Sequence, residues 1–320
     1  ADWTAGAEVD VEQDMTQVTL AVIVDLMLGT DLTDRRIKTI RKALLPLGAR
    51  FEPDPIRFAA PQWLPMPGDS DYQNALGTMD SVIDDIVTER RGTQSNPETD
   101  EGPNDLLSIL LRAQDRGEQT NRQIRDEVMT ILLAGHDTTA LTLTYTWYLL
   151  SQHPDVERRV HEEVEEVLDG DPPAMSDVSE LSYIEHVIDE SMRLYPPVYT
   201  MFREANEPVE LGGYQLPEGA TIMISQWAMH RSKRFWDDSN AFDPDRWTRD
   251  EDRPRFAYFP FGGGPRHCIG KHLAKLEAKL ILAHTAQQYR LEYVGESPLE
   301  LWPTLTMHPR NGMPMRLHER

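Results

Sequence analysis

The stretch FPFGGGPRHCIG, residues 259–270, contains the only cysteine of the 320-residue chain, Cys268, behind three glycines, a proline and an arginine. A thiolate that binds a metal must keep its charge, and backbone N–H groups with a helix N-terminus provide for that. Glycines let the backbone wrap closely around the sulfur. Helical periodicity resumes over 269–289, immediately after Cys268, which sets the positive end of a helix beside the sulfur. Gly270 leaves room there for a flat ligand. Taken alone, the loop is equally compatible with an inert buried cysteine.

Working outward, VMTILLAGHDTTALTLTYTWYLL (128–150) is the middle of a helix expected over 121–152. A capping box at Thr120 and Gln123 opens it and His153-Pro154 closes it, a length of roughly 48 Å. The run is long and apolar enough to span a bilayer. His136 and Asp137 would then lie at mid-membrane, where an ionised side chain costs at least about 2.5–3.5 kcal/mol, so a helix buried in a soluble core is the better reading. Within it, AGHDTT (134–139) lets Thr138 direct its hydroxyl to the Ala134 carbonyl, loosening the helix into a pocket for water or a diatomic ligand. Asp137 is a candidate proton source beside it. Gly135 costs about 1 kcal/mol in a helix interior, which implies a close approach at that point. His136 is expected to be structural or pocket-lining rather than a ligand.

In ESMR, Glu190 and Arg193 stand one helical turn apart and can pair. FDPDRW (242–247) adds Arg246, which can complete a buried Arg–Glu–Arg set with bidentate geometry. Further helices are expected over 14–28, 71–91, 105–116 and 155–168, and over 183–195 behind a second capping box at Ser182 and Glu185. The Pro-rich piece 53–67 reads as loop, 93–104 as a polar linker and 236–266 as ordered coil. VELGGYQLPEGATIMIS (209–225) alternates like a hairpin, and LEYV and PMRLH in the tail read as short strands. The fold class is mainly α with small β-sheets.

The 54 acidic residues against 32 basic give a net charge of −22, which argues against a nucleic-acid partner. With six lysines only, the composition resembles that of proteins from salt-adapted organisms, where salt screens self-repulsion. One cysteine excludes a disulfide framework and a Cys-rich zinc site, so a reducing cytoplasm is expected. No signal-peptide pattern opens the sequence. Lys271, Lys275 and Lys279 recur every four residues with no acid three or four positions away. Two readings stay open for this row: a solvated face paired with acids from elsewhere, or a basic patch where an acidic ferredoxin docks.

A-G-x-D-T-T, E-x-x-R, F-x-P-x-R-W and F-x-x-G-x-R-x-C-x-G, in this order along the whole chain, closely resemble the cytochrome P450 superfamily. Phe261, Gly264, Arg266, Cys268 and Gly270 match the last motif. The resemblance implies a single haem-binding domain over 1–320 with the cytochrome P450 fold, lacking the N-terminal helices and first sheet strands that members carry. It implies haem b with Cys268 as axial thiolate, Phe261 packed under the loop, and Arg266, Arg203 and the weaker candidate His230 as propionate contacts. Ala134 and Gly135 would line the cofactor, Asp137 and Thr138 would deliver protons, and Glu190, Arg193 and Arg246 would be structural. Residues 198–202 and 304–307 would line the substrate cavity.

The implied activity is a monooxygenase that inserts one oxygen atom from O2 into an apolar small molecule. Electrons would come ultimately from NAD(P)H through a separate ferredoxin or flavoprotein reductase, with no membrane segment in this chain. AGHDTT and MHRS resemble fatty-acid-hydroxylating members. Two other readings are a peroxygenase, or an isomerase or dehydratase acting on hydroperoxides, against which the presence of both Asp137 and Thr138 weighs, and a non-catalytic haem- or hydrophobic-ligand-binding protein.

Overall fold

Gln123 Oε1 accepts from the Thr120 amide at 2.8 Å while Thr120 Oγ1 accepts from the Gln123 amide at 3.3 Å, so the capping box forms and the long helix starts where its sequence says. The computed structural model describes residues 3–28, 34–50, 64–93, 105–249 and 253–320. Most of the Pro-rich piece and of the polar linker lies outside the described residues. Among the described residues the helices are α1 (Val11–Leu28), α2 (Asp34–Ala49), α3 (Asp69–Thr93), α4 (Leu106–Asp115), α5 (Asn121–Gln152), α6 (Pro154–Leu168), α7 (Ser182–Leu194), α8 (Gln226–His230) and α9 (Lys271–Gln288). The strands are β1 (Glu8–Asp10), β2 (Thr200–Glu204), β3 (Val209–Leu211), β4 (Tyr214–Leu216), β5 (Thr221–Ser225), β6 (Tyr289–Tyr293), β7 (Leu301–Pro303), β8 (Met307–Pro309) and β9 (Pro314–Glu319). The chain divides into two units, one of Glu12–Ala140 with Trp302–Leu305, the other of Ala1–Val11, Leu141–Leu301 and Thr306–Arg320.

The first unit is helical. Met79, Ile83 and Ile86 of α3 are buried at helical spacing, as are Ile40, Leu44 and Leu47 of α2. Helix α2 was not among the expected helices. Its apolar stripe is narrow and Pro46 stands inside it, and these mask a helix to which packing holds the chain. Thr19 of α1 donates its hydroxyl to the His136 carbonyl of α5 at 2.8 Å, a buried tie between two helices.

The second unit contains the three-stranded sheet and the β2–β5 and β3–β4 pairs. β9 is the centre of a three-stranded antiparallel sheet, with Val9 opposite Met315 and Leu291 opposite Leu317. The alternation of Met315 and Leu317, both fully buried, fixes this register, because a slip of one residue would expose both. β2 pairs with β5 and β3 with β4. Helix α7 corrects the second expected capping box. Its N-terminus carries no such box; instead Glu163 of α6 accepts from the Tyr183 and Ile184 amides at 2.6 and 2.8 Å. A carboxylate from a neighbouring helix satisfies two orphan amides at once and adds a favourable charge, leaving Glu185 free to turn elsewhere.

Candidate functional site

The cysteine loop begins at Phe259. The Gly262 amide donates to the Phe259 carbonyl at 2.9 Å, the His267 amide to Gly264 at 3.1 Å, and the Cys268 amide to Phe261 at 2.9 Å. These bonds fold ten residues into two turns, closed by the bond between Cys268 and Phe261. Gly262 and Gly264 have φ of +71° and +73°, a left-handed backbone that other residues resist. Gly263 is extended, and the Phe256 ring fills the space where its Cβ would be. The glycines therefore answer two geometric demands, positive φ at Gly262 and Gly264 and close approach at Gly263. Cys268 is free and exposed at the end of the loop, two residues before Gly270, the N-cap of α9. A Cβ at Gly270 would lie in ordinary contact with Sγ, 3.8 Å away.

A haem asks for an anionic sulfur with an open side, an apolar face and cations for two carboxylates. Cys268 is exposed, Ile269 beside it is 97% exposed, and Arg266 is an exposed cation in the same loop. On β2 the pleat sends Met201 and Arg203 to one face. Met201 Cε lies 3.6 Å from where a Gly262 Cβ would stand, so that face is turned to the loop and carries the exposed Arg203. Arg203 donates to the adjacent Phe202 carbonyl at 2.8 Å. Phe261 is half-buried, with its carbonyl receiving the Cys268 amide. The residues present fit the group.

His230 stands elsewhere than expected. It is 0% exposed, and its Nε2 accepts the Phe259 amide at 3.0 Å. A ring without exposed surface supports the loop backbone and offers nothing to a propionate. Burial pushes its imidazole down to about 3, with the Met192 backbone opposing and the Arg193 and Arg231 charges adding to the shift. It stays neutral, as an acceptor must.

In the core, Glu190 Oε1 accepts from Arg193 Nη2 and Arg246 Nε at 2.8 Å each and from the Asp243 amide at 3.0 Å. Arg193 also donates to the carbonyls of His230, Ser239 and Ala241 at 2.8, 2.6 and 2.9 Å. The three side chains are essentially unexposed. One carboxylate between two guanidiniums leaves a net positive centre, and the ring of carbonyl dipoles stabilises the excess charge. This set holds the coil 237–246 to α7.

The lysine row resolves as the paired reading. Lys275 Nζ reaches Glu185 and Asp189 at 3.1 and 2.9 Å, and Lys279 Nζ reaches Glu185 at 3.1 Å. Lys279 is 5% exposed, so the row does not form a solvated docking patch; Lys271 alone of the three is exposed. Helix α9 spends these charges on α7.

The expected residues of α5 belong to the first unit. Thr138 Oγ1 donates to the Ala134 carbonyl at 3.1 Å, and Ala134 is exposed. Asp137 is half-buried. His136 is buried and its Nδ1 bonds the Leu132 carbonyl at 2.7 Å, in keeping with a structural role. At Gly135 the close approach is made within the fold: a Cβ there would lie 2.8 and 2.9 Å from Cγ1 and Cδ1 of Ile23. The missing side chain serves the contact between α1 and α5, a correction to its reading as a cofactor contact.

Sequence reasoning missed Gln226, Phe256 and Glu277. Gln226 is buried and donates to the Phe259 carbonyl at 2.8 Å, and a polar residue four before His230 was the available signal. Glu277 is 6% exposed on α9, and burial pushes its carboxyl up to about 8.

A family model described as Cytochrome P450 matches residues 2–314. Cyclooctatin synthase of Streptomyces melanosporofaciens is 35% identical over 95% of this chain and 67% of its own length. Pentalenene oxygenase of Streptomyces avermitilis is 34% identical over 97% of this chain and 69% of its own. Cyclooctat-9-en-7-ol 5-monooxygenase of Streptomyces melanosporofaciens is 36% identical over 93% and 65%. The crystal structure of the cytochrome P450DA heme domain superposes with a TM-score of 0.83 at 30% identity, covering 99% of this chain and 69% of that one. The chain thus spans about two thirds of the length of these relatives.

Proposed function

The chain belongs to the cytochrome P450 family, and from that membership we propose that Cys268 is the thiolate ligand of a haem held by the loop 259–270 in a monooxygenase that oxidises an apolar alkene skeleton. The observation that carries the assignment is the loop itself: the sole thiol is exposed, its amide is tied to Phe261, and two left-handed glycines shape the turn before it. When bound, the haem supplies activation of O2 and transfer of one oxygen atom to substrate. Arg266 and Arg203 hold its carboxylates. Asp137 and Thr138 move protons, Thr138 from a hydroxyl already engaged with the Ala134 carbonyl. Glu190, Arg193 and Arg246 keep the coil before the loop in place.

Both units serve one haem-binding domain in this reading, since a single family model runs across them. The substrate class rests on relatives whose names carry pentalenene and cyclooctat-9-en-7-ol. Electrons arrive from a separate ferredoxin or flavoprotein and ultimately from NAD(P)H. Among the described residues no helix is long and apolar enough to cross a membrane. A cytoplasmic setting, at high salt given the −22 charge, completes the proposal.

The test is the spectrum of the reduced, CO-bound protein. The red-shifted band of thiolate-ligated haem is expected, and Cys268→Ala should abolish it because a methyl group donates no charge. A Cys268→Ala protein that keeps the band overturns the assignment. Turnover of pentalenene against a long-chain fatty acid, each with NAD(P)H and a surrogate redox pair, tests the substrate class. A hydroxylated fatty acid with no pentalenene product would overturn it.

A further inference from the structure

We propose that Gln226 and His230 clamp the Phe259 peptide from both sides and thereby position the Cys268 sulfur. The proposal rests on the reading of Cys268 as the iron ligand and extends it to two residues that touch neither haem nor substrate. Both belong to α8, a helix of five residues, at the spacing that sets two side chains on one face. Gln226 Nε2 donates to the Phe259 carbonyl at 2.8 Å; His230 Nε2 accepts from the Phe259 amide at 3.0 Å. The same carbonyl receives the Gly262 amide at 2.9 Å, so the clamp acts on the first bond of the loop that ends at the sulfur.

Three observations make this more than a pair of core hydrogen bonds. The two side chains are 1% and 0% exposed, whereas residues 264–269 are all exposed, so Phe259 is the buried anchor of a loop whose functional end lies in the open. Gln226 leaves its Oε1 without a hydrogen-bond partner, so its only return for burying an amide is the bond to Phe259. An apolar residue would fill the position without that penalty. Finally, the His230 carbonyl receives Arg193 Nη1 at 2.8 Å. The clamp therefore stands on the Glu190–Arg193–Arg246 set, and a continuous hydrogen-bonded path runs from the core to the loop.

The experiment compares His230→Leu, Gln226→Leu and His230→Gln, the last keeping an acceptor near the Nε2 position. In the 320-residue chain without haem, amide exchange is read at Gly262 and Cys268. The leucine variants should exchange roughly tenfold faster there, the scale of one lost hydrogen bond, with helix α5 unchanged, and His230→Gln should stay close to wild type. In the haem-loaded protein the leucine variants should move CO-bound absorbance from the thiolate band to the neutral-donor band at equal haem content. Unchanged loop exchange in Gln226→Leu, or a His230→Gln variant as impaired as His230→Leu, overturns the clamp. If His230→Leu loses protection everywhere, Gln226→Leu and His230→Gln decide. A wild-type protein with no thiolate band would overturn the ligand assignment instead, and the exchange rates would still decide the clamp.

Discussion

Lys275 of α9 places its Nζ 2.9 Å from Oδ2 of Asp189 on α7, an acid that is 8% exposed. Burial pushes the Asp189 carboxyl up and the Lys275 charge pulls it back. Lys275→Met should cost roughly 2 kcal/mol in urea unfolding, less than the 3–5 of a fully buried pair because solvent still reaches the lysine. Lys271→Gln should stay within about 0.5 kcal/mol.

Arg193 makes bonds in five directions, and a lysine cannot reproduce them. The planar fork meets both Glu190 oxygens and three carbonyls, whereas an ammonium is a point charge with three donors. Arg193→Lys is expected to lose about 3–5 kcal/mol by thermal unfolding although the charge is retained. A loss below about 1 kcal/mol would show that charge alone suffices.

Glu277 makes stability depend on pH in a defined window. Its folded pKa, about 8, lies above the ordinary value of 4.5, so its contribution is intact below 4.5 and is lost as pH rises through 8. Glu277→Gln, neutral at every pH, should unfold at the same temperature as wild type near pH 4.5. By pH 8 it should be more stable by on the order of a few kcal/mol. Equal melting temperatures at pH 8 would show that the carboxylate is already charged in the fold.

Gly135→Ala sets helix propensity against packing. The substitution gains about 1 kcal/mol in a helix interior, yet its Cβ would meet Ile23, a stiff, buried side chain of 4% exposure. A net loss of about 1–3 kcal/mol is expected from overpacking. Ile23→Ala should be less damaging with Gly135→Ala than without it, and simple additivity would reject the contact as the cause.

If Thr138 delivers protons as proposed, Thr138→Ala should leave haem and substrate binding intact and lower product formed per NAD(P)H consumed by at least about tenfold, since the donor hydroxyl is gone. The reducing equivalents should appear as peroxide. Unchanged coupling would remove Thr138 from proton delivery.

What the sequence disclosed and what it concealed divide along a physical line. Thr120 with Gln123 disclosed a helix start because both halves of the capping box are local, three residues apart. Ser182 with Glu185 has the same pattern and failed, because Glu163 arrives from another helix and no local rule can register it. The lysine row misled for the same reason: Glu185 and Asp189 lie about ninety positions away in sequence. The cysteine motif was legible as a pattern, and its glycines as turns. The support under it, Gln226 and His230 on Phe259, depends on a distant segment and showed only in three dimensions. Gly135 was recognised as a close contact but given the wrong neighbour, since composition says that room is needed and not for what.

Cys268 is the sole thiol of the chain and it is exposed. A molecule whose sulfur is not engaged has one handle for an alkylating reagent or an oxidant, and two copies oxidised together join at this atom and no other. Such a covalent dimer has consumed both of the sulfurs that would hold iron. In the proposed ligation, air oxidation and cofactor loading thus compete for a single atom, and the cross-linked fraction of a sample sets a lower bound on the fraction barred from carrying haem.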